Sequence, residues 1–133
     1  MTRYLFDTSA LLMAAWRQRR FTQAVRDRIA DGERFVSQVC AIEIAIKQSI
    51  GRLDLIGPLR TDFATGFQTM LDELGADLLP IETTHIGQFS RLPLVHRDPF
   101  DRLIVAQGLA TGMTIITSDR AFSAYSGLSV LEI

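Results

Sequence analysis

Short apolar runs alternate along this chain with longer segments in which apolar residues recur every three or four positions. The short runs predict strands, because glycine, proline or small polar residues flank each of them. These strands lie near Arg3 to Phe6, Arg34 to Ser37, Leu78 to Ile81, Met113 to Thr117 and Ser129 to Leu131. The longer segments predict helices at Ser9 to Trp16, Thr22 to Ala30, Gln38 to Ile50, Leu59 to Leu74, Thr84 to Arg91 and Pro99 to Ala110, with a short turn after Asp119.

This alternation of strands and helices is typical of an α/β fold. Right-handed crossovers between neighbouring strands would place helices on both faces of the sheet. We therefore expect a three-layer α/β/α sandwich around a mostly parallel sheet of roughly five strands. A chain of 133 residues with 47% hydrophobic content suits one domain, over residues 1–133.

The sequence also predicts a cytoplasmic protein with no membrane partner. No apolar run approaches the roughly 20 residues that a membrane span needs. Met1-Thr2-Arg3 leads directly into a predicted strand rather than into the apolar stretch of a signal peptide. The single cysteine, Cys40, has no internal disulfide partner, and we expect it to be a small buried apolar residue.

The charge of the chain leaves its nucleic-acid affinity open. The net charge of −1 provides no bulk attraction for a polyanion. An early segment is nevertheless rich in arginine, whose planar guanidinium suits phosphate groups. It contains Arg17, Arg19, Arg20, Arg26 and Arg28. Such a cluster is more often a solvated helix face than a binding surface, so its role stays open.

Four acidic residues stand where this fold would bring them together: Asp7, Glu43, Asp101 and Asp119. Asp7 directly follows one apolar strand, and Asp119 comes two residues after the end of another. The carboxyl ends of parallel strands meet at one edge of the sheet, where open α/β sheets place their sites. We therefore predict a metal-ion cage at this edge.

Each of these acids also has a structural interpretation. Glu43 falls beside a predicted buried stripe and could simply pair with Lys47 one helical turn later. That stripe consists of Val39, Ile42, Ile46 and Ile50. Asp7 and Asp119 could cap the helical segments that follow them.

The string from His96 to Gln107 contains two aspartates for which we predict different roles. Asp98 precedes Pro99 and fits an N-cap, because the missing N–H of proline costs nothing at the first helical position. Asp101 would lie in the first turn, where the helix dipole favours a negative charge.

Electrostatic repulsion limits what a cluster of these acids could contain. Two carboxylates about 4 Å apart repel by roughly 4 kcal/mol at an effective dielectric near 20, so divalent ions or shared protons must offset the charge. With oxygen ligands and no histidine or cysteine expected nearby, Mg²⁺ or Mn²⁺ is favoured over Zn²⁺. We regard His85 and His96 as weaker candidates for the site.

Four strings in this order resemble the PIN domain family. They are Leu5-Phe6-Asp7-Thr8-Ser9-Ala10-Leu11-Leu12, Ile42-Glu43-Ile44-Ala45-Ile46-Lys47, His96 through Ala106, and Thr117-Ser118-Asp119. More narrowly, the chain is similar to the VapC-type toxins of bacterial toxin-antitoxin pairs, which have a turn such as Gly51-Arg52-Leu53 after this glutamate. One departure is Cys40-Ala41, where many relatives have a tryptophan just before the glutamate.

The resemblance implies Mg²⁺-dependent endonucleolytic cleavage of RNA, with Mn²⁺ as a possible substitute. The acids of the family correspond to Asp7, Glu43, Asp101 and Asp119, and we expect Asp7 and Asp101 to be the leading ligands of one or two ions that activate a water molecule. Hydroxyl groups beside the acids come from Thr8, Ser9, Thr117 and Ser118.

The resemblance also implies a VapB-like antitoxin as partner, and exposed apolar residues would favour a homodimer. One alternative is a PIN-like protein that acts mainly as the binding partner of an antitoxin. A weaker alternative is a phospho-accepting receiver-like module, which needs an acidic cluster after the first strand and a lysine near the last.

Overall fold

The computed structural model describes residues 1–16, 21–55 and 57–133. Its strands are β1 (Arg3–Phe6), β2 (Glu33–Ser37), β3 (Ala76–Leu79), β4 (Thr114–Thr117) and β5 (Ser129–Glu132). Its helices are α1 (Thr8–Ala15), α2 (Gln23–Ala30), α3 (Gln38–Ser49), α4 (Pro58–Thr61), α5 (Phe63–Leu74), α6 (Thr83–Ser90) and α7 (Pro99–Thr111), followed by a 3-10 helix at Arg120–Ala124.

The strands form one five-stranded sheet in the order β3-β2-β1-β4-β5. All four strand pairs are parallel, which confirms the predicted α/β class with a sheet that is wholly rather than mostly parallel. The chain moves from β1 towards β3 on one side and returns to β4 on the other. The order of the strands therefore reverses between β1 and β4, and ligands of open α/β sheets bind at such a switch point.

Helices cover both faces of this sheet. Phe6 of β1 lines a groove together with Met13 of α1 and Phe21. The preceding residue, Leu5, pairs with Ile115 of β4, and a methyl group added at Gly108 of α7 would lie 2.8 Å from the Ile115 side chain. Because successive strand residues point to opposite faces, α7 lies on the opposite side of the sheet from α1, as in a three-layer sandwich.

Two element boundaries differ from the prediction. The segment predicted as one helix from Leu59 to Leu74 is divided at Asp62, whose extended backbone ends α4 and whose side chain caps α5 through the Thr65 N–H at 3.4 Å. Strand β3 begins two residues earlier than predicted, because Gly75 adopts a left-handed conformation that ends α5.

The predicted buried stripe of α3 is wrong. Val39 is buried, but three isoleucines of that stripe are 42%, 42% and 60% exposed. They are Ile42, Ile46 and Ile50. The buried face instead holds Cys40, Glu43 and Ile44, and the Cys40 sulfur lies 3.7 Å from the Phe6 carbonyl oxygen of β1. Apolar residues occupy both faces of α3, so periodicity alone could not identify the inner one.

The structure also describes Cys40, part of the early arginine cluster and the lengths of the helices. Cys40 is fully buried as expected, and burial raises the pKa of its thiol to about 12. Arg26 is exposed on α2. Three arginines of the early cluster, Arg17, Arg19 and Arg20, lie outside the described residues. Among the described residues, no helix combines the length and apolar character needed to cross a membrane.

Candidate active site

Asp7 lies at the carboxyl end of β1, and its side chain is almost completely buried. One carboxylate oxygen, Oδ1, accepts the Ala10 N–H at 2.7 Å, so Asp7 caps α1 as its structural interpretation required. The other oxygen, Oδ2, accepts the Thr117 hydroxyl at 2.5 Å. Burial raises the pKa of Asp7, although these two hydrogen bonds partly offset the effect. The nearby charges of Asp119 and Glu43 raise this pKa further.

Thr117 connects two of the predicted site acids. Its hydroxyl donates to Asp7 and accepts the backbone N–H of Asp119 at 3.0 Å. The Asp119 carboxylate also caps the 3-10 helix by accepting the Ala121 N–H at 2.9 Å. Since β1 and β4 are adjacent parallel strands, the residues that leave their carboxyl ends lie side by side.

Glu43 enters from α3 and is also buried. One of its oxygens accepts the Thr8 hydroxyl at 2.5 Å, and the other lies 2.6 Å from the Lys47 ammonium. The ion pair offered as a structural interpretation is therefore present, and the hydrogen bond with Glu43 raises the pKa of Lys47 against the opposing effect of burial. Thr8 directly follows Asp7, so the same contacts hold Glu43 next to the end of β1.

The two aspartates before and within α7 differ as predicted. Asp98 caps α7 by accepting the Phe100 N–H at 2.8 Å. Asp101 lies in the first turn of the helix and is partly buried. Burial, followed by the charge of Asp98, raises the pKa of Asp101 to about 6, and Glu43 and Asp7 contribute in the same direction.

His96 lies inside this group of acids, which corrects the expectation that no histidine would be nearby. Ligand atoms of His96, Asp101 and Asp119 all lie within 4.8 Å of one another. The His96 Nε2 is 2.8 Å from Oδ2 of Asp119. Burial alone would raise the pKa of Asp119, but hydrogen bonds from His96 and Ala121 outweigh it, and this pKa lies below its usual value.

The remaining candidate residues differ in whether they contact the acids. Thr8 and Thr117 contact the acids directly, whereas Ser9 is exposed on α1. His85 is buried at a different place, where its Nδ1 lies 3.1 Å from the Glu82 backbone nitrogen and 3.2 Å from the Gln107 amide nitrogen. It is a satisfied structural histidine.

The four predicted acids thus meet at the switch point between β1 and β4, with Glu43 and Asp101 added by the helices that flank it. Burial is the main cause of the raised pKa values of Asp7 and Asp101, and the neighbouring carboxylates raise both further. A hard divalent cation would relieve this repulsion, and carboxylate and hydroxyl oxygens are the ligands that Mg²⁺ prefers. The donor set therefore fits such an ion.

Residues 4–128 match the family model of the PIN domain. The chain belongs to the PIN domain family. No curated protein matches the sequence.

Solved structures share the fold along the whole length of the chain. A chain from VapBC2 of Rickettsia felis, bound to a promoter DNA fragment, has a TM-score of 0.68 at 12% identity, with 99% of each chain covered. DNA-bound VapBC from Salmonella typhimurium gives a TM-score of 0.68 at 15% identity, over 99% of this chain and 98% of that one. VapBC-5 from Mycobacterium tuberculosis, a member of the VapBC family of toxin-antitoxin systems, gives 0.65 at 16% identity over 100% of both chains. At these identities the likeness is one of fold.

Proposed function

We propose that this protein is the VapC-type toxin of a toxin-antitoxin pair, a Mg²⁺-dependent endoribonuclease that hydrolyses RNA phosphodiester bonds. The observation that carries the proposal is the group of four carboxylates at the switch point of a PIN domain. Membership of the family and the fold shared with VapBC chains support the same conclusion.

The acids themselves explain why the reaction needs a cation. An RNA phosphate is negatively charged, and the uncompensated carboxylates would repel it. Asp7 and Asp101 are the leading candidates to hold Mg²⁺ or Mn²⁺, because the charge of Glu43 is already paired with the Lys47 ammonium at 2.6 Å. When bound, the ion would neutralise charge on the phosphate and lower the pKa of an attacking water.

The chain's own residues position these groups. Thr117 and the Ala10 N–H fix the orientation of the Asp7 carboxylate, and Thr8 does the same for Glu43. Asp101 is less buried and has a pKa of about 6, so it is largely ionised at neutral pH and can take up a proton as the pH falls. Asp119 is the more exposed acid, with a side chain that is 45% exposed, so it can contact the substrate.

We propose that a VapB-like antitoxin binds in the groove between α1, α2 and α5. This groove has a volume of about 570 Å³ and lies on the face of the sheet opposite α7. Its apolar lining consists of Phe6, Met13, Ala14, Phe21, Ile29, Ala30 and Leu74. Arg26, Arg34 and Glu73 add both signs of charge to the lining, which suits the apolar face of an amphipathic helix with charged flanks.

A homodimer is the further assembly we propose, through the exposed isoleucines of α3. Ile42, Ile46 and Ile50 recur at intervals of four residues and form one row along the helix. A row of this kind can pack against its own copy across a two-fold axis, since each protomer then presents and receives the same apolar face.

Cleavage of RNA by the purified protein, freed of any partner, tests the proposed activity. Mg²⁺ or Mn²⁺ should support cleavage and EDTA should stop it. Asp7→Asn and Asp101→Asn should each remove most of the activity, while the matched control Asp98→Asn should keep it, because asparagine caps a helix as well as aspartate does. Full activity in either of the first two variants, or in EDTA, would contradict the proposed metal site. No cleavage with either ion would favour a protein that only binds its antitoxin.

A further inference from the structure

His96 occupies a fixed position between Tyr125 and Asp119. Its Nδ1 lies 2.8 Å from the Tyr125 hydroxyl oxygen, and its Nε2 lies 2.8 Å from Oδ2 of Asp119. The imidazole stacks on the Tyr125 ring with an interplanar angle of 2° and meets the edge of Phe122 at a centroid distance of 4.8 Å. Its side chain is only 9% exposed, so the ring has little room to turn.

The partners of the two ring nitrogens indicate which nitrogen of His96 carries the proton. The backbone N–H of His96 can only donate, and it lies 3.2 Å from the Tyr125 oxygen, which must accept it. The Tyr125 hydroxyl can then donate to Nδ1, its other near neighbour. The ionised Asp119 carboxylate can only accept, so the nitrogen that faces it, Nε2, must carry a proton. Burial raises the pKa of Tyr125, so the hydroxyl keeps its proton. A neutral His96 therefore carries its own proton on Nε2 and donates it to Asp119.

Asp119 is the acid that most needs such support. Its side chain is 45% exposed, in contrast to the buried Asp7 and Glu43. It extends from the short 3-10 turn, where the Ala121 N–H fixes one carboxylate oxygen and His96 fixes the other. Without His96, Oδ2 of Asp119 would lose this hydrogen bond and could rotate towards solvent.

We propose that His96 is a positioning residue that holds the Asp119 carboxylate in place to receive the divalent cation, with Tyr125 selecting the tautomer that makes this possible. The inference rests on the proposed function, since it assumes that the acids bind such an ion. It assigns His96 a role through Asp119 and not as a ligand itself. A ligand nitrogen needs a free lone pair, whereas Nε2 carries a proton and Nδ1 is bonded to Tyr125.

Binding of Mn²⁺ to the full chain, measured by calorimetry and by electron paramagnetic resonance, tests this role without depending on activity. His96→Ala should weaken Mn²⁺ binding by roughly 10- to 100-fold, the usual effect of removing a group that orients a ligand. His96→Gln keeps an N–H donor near the position of Nε2 and should recover much of that loss. The control is His85→Gln, which changes the other histidine and should leave Mn²⁺ affinity unchanged.

Two measurements on the unmodified protein remain informative even if a variant does not fold. Long-range ¹H–¹⁵N spectra should show the proton of neutral His96 on Nε2, and electron spin echo spectra of the Mn²⁺ complex should show no directly coordinated imidazole nitrogen. A proton on Nδ1 or a coordinated nitrogen would overturn the inference, as would unchanged Mn²⁺ affinity in His96→Ala. If the unmodified protein binds Mn²⁺ and cleaves RNA while the His96 variants behave like it, this inference alone is wrong. If the unmodified protein neither binds Mn²⁺ nor cleaves RNA, the proposed function is wrong as well.

Discussion

Replacing Asp101 by asparagine should stabilise the metal-free protein and abolish its stabilisation by Mg²⁺. The change keeps the shape of the side chain and removes its charge. In the folded protein, burial and the charge of Asp98 raise the pKa of Asp101 from 3.8 to about 6. The folded state therefore binds this proton more tightly than the unfolded state does.

The direction and size of the change in stability follow from this rise in the pKa of Asp101. Ionising Asp101 destabilises the folded protein progressively as the pH rises from about 4 to about 6, and the penalty is complete above that window. A shift of about two pKa units corresponds to at most ~3 kcal/mol. Asp101 is only partly buried, so solvent screening reduces the expected penalty to roughly 1 kcal/mol. Asparagine carries no charge, so the variant is not destabilised by ionisation at this position.

Thermal unfolding in EDTA measures the difference directly. At pH 7.5, Asp101→Asn should melt about 3–5 °C above the unmodified protein, and at pH 4 the two should melt together. In excess Mg²⁺ the order should reverse, because an ion at 100 times its Kd stabilises the unmodified protein by about 2.7 kcal/mol and the variant lacks this gain.

Asp98→Asn provides the matched control, since it removes a neighbouring charge and keeps the cap of α7. Asp98→Asn should retain most of the increase in melting temperature that Mg²⁺ gives the unmodified protein. An Asp101→Asn variant that melts below the unmodified protein at pH 7.5 in EDTA, or that keeps the full Mg²⁺ gain, would refute this account of the site.

Three further changes test other contacts. Asp98→Ala removes the cap of α7 and should cost about 1 kcal/mol of unfolding free energy in urea, with or without Mg²⁺; a loss of the Mg²⁺ gain would instead make Asp98 a ligand. Thr117→Val removes the hydroxyl that joins Asp7 to the Asp119 N–H and should cost about 1–3 kcal/mol in the same assay; an unchanged midpoint would show that this link is unimportant. Ile46→Asp places a charge in the exposed isoleucine row of α3 and should convert a dimer to a monomer in analytical ultracentrifugation; a variant that remains dimeric would place the interface elsewhere.

Local signals in the sequence were sufficient for much of this fold. The bounds of β1 match the prediction because Arg3 to Phe6 is a short apolar run followed at once by a capping residue. The cap at Asp98 was predictable because proline at the next position leaves few other conformations. The meeting of Asp7 and Asp119 followed from their positions at the ends of two parallel strands.

Features that depend on tertiary packing were harder to predict. The inner face of α3 could not be chosen from periodicity, because Cys40 and Ile44 repeat at the same interval as Ile42 and Ile46. His96 lies in a loop without periodicity, and its place in the site depends on Tyr125, which is 29 residues away along the chain. The available signal was its position two residues before the Asp98 cap, in the string that also contains Asp101.

The pairing of β1 with β4 has a consequence for a chain that is still being synthesised. Asp7 directly follows β1, whereas Thr117 ends β4 and Asp119 comes two residues later. A nascent chain that has reached β3 contains Asp7 and Glu43 but neither α7 nor β4, so the set of four acids is still incomplete. If the protein cleaves RNA as proposed, it remains harmless to the message that encodes it until translation has passed Asp119 and β4 has docked beside β1.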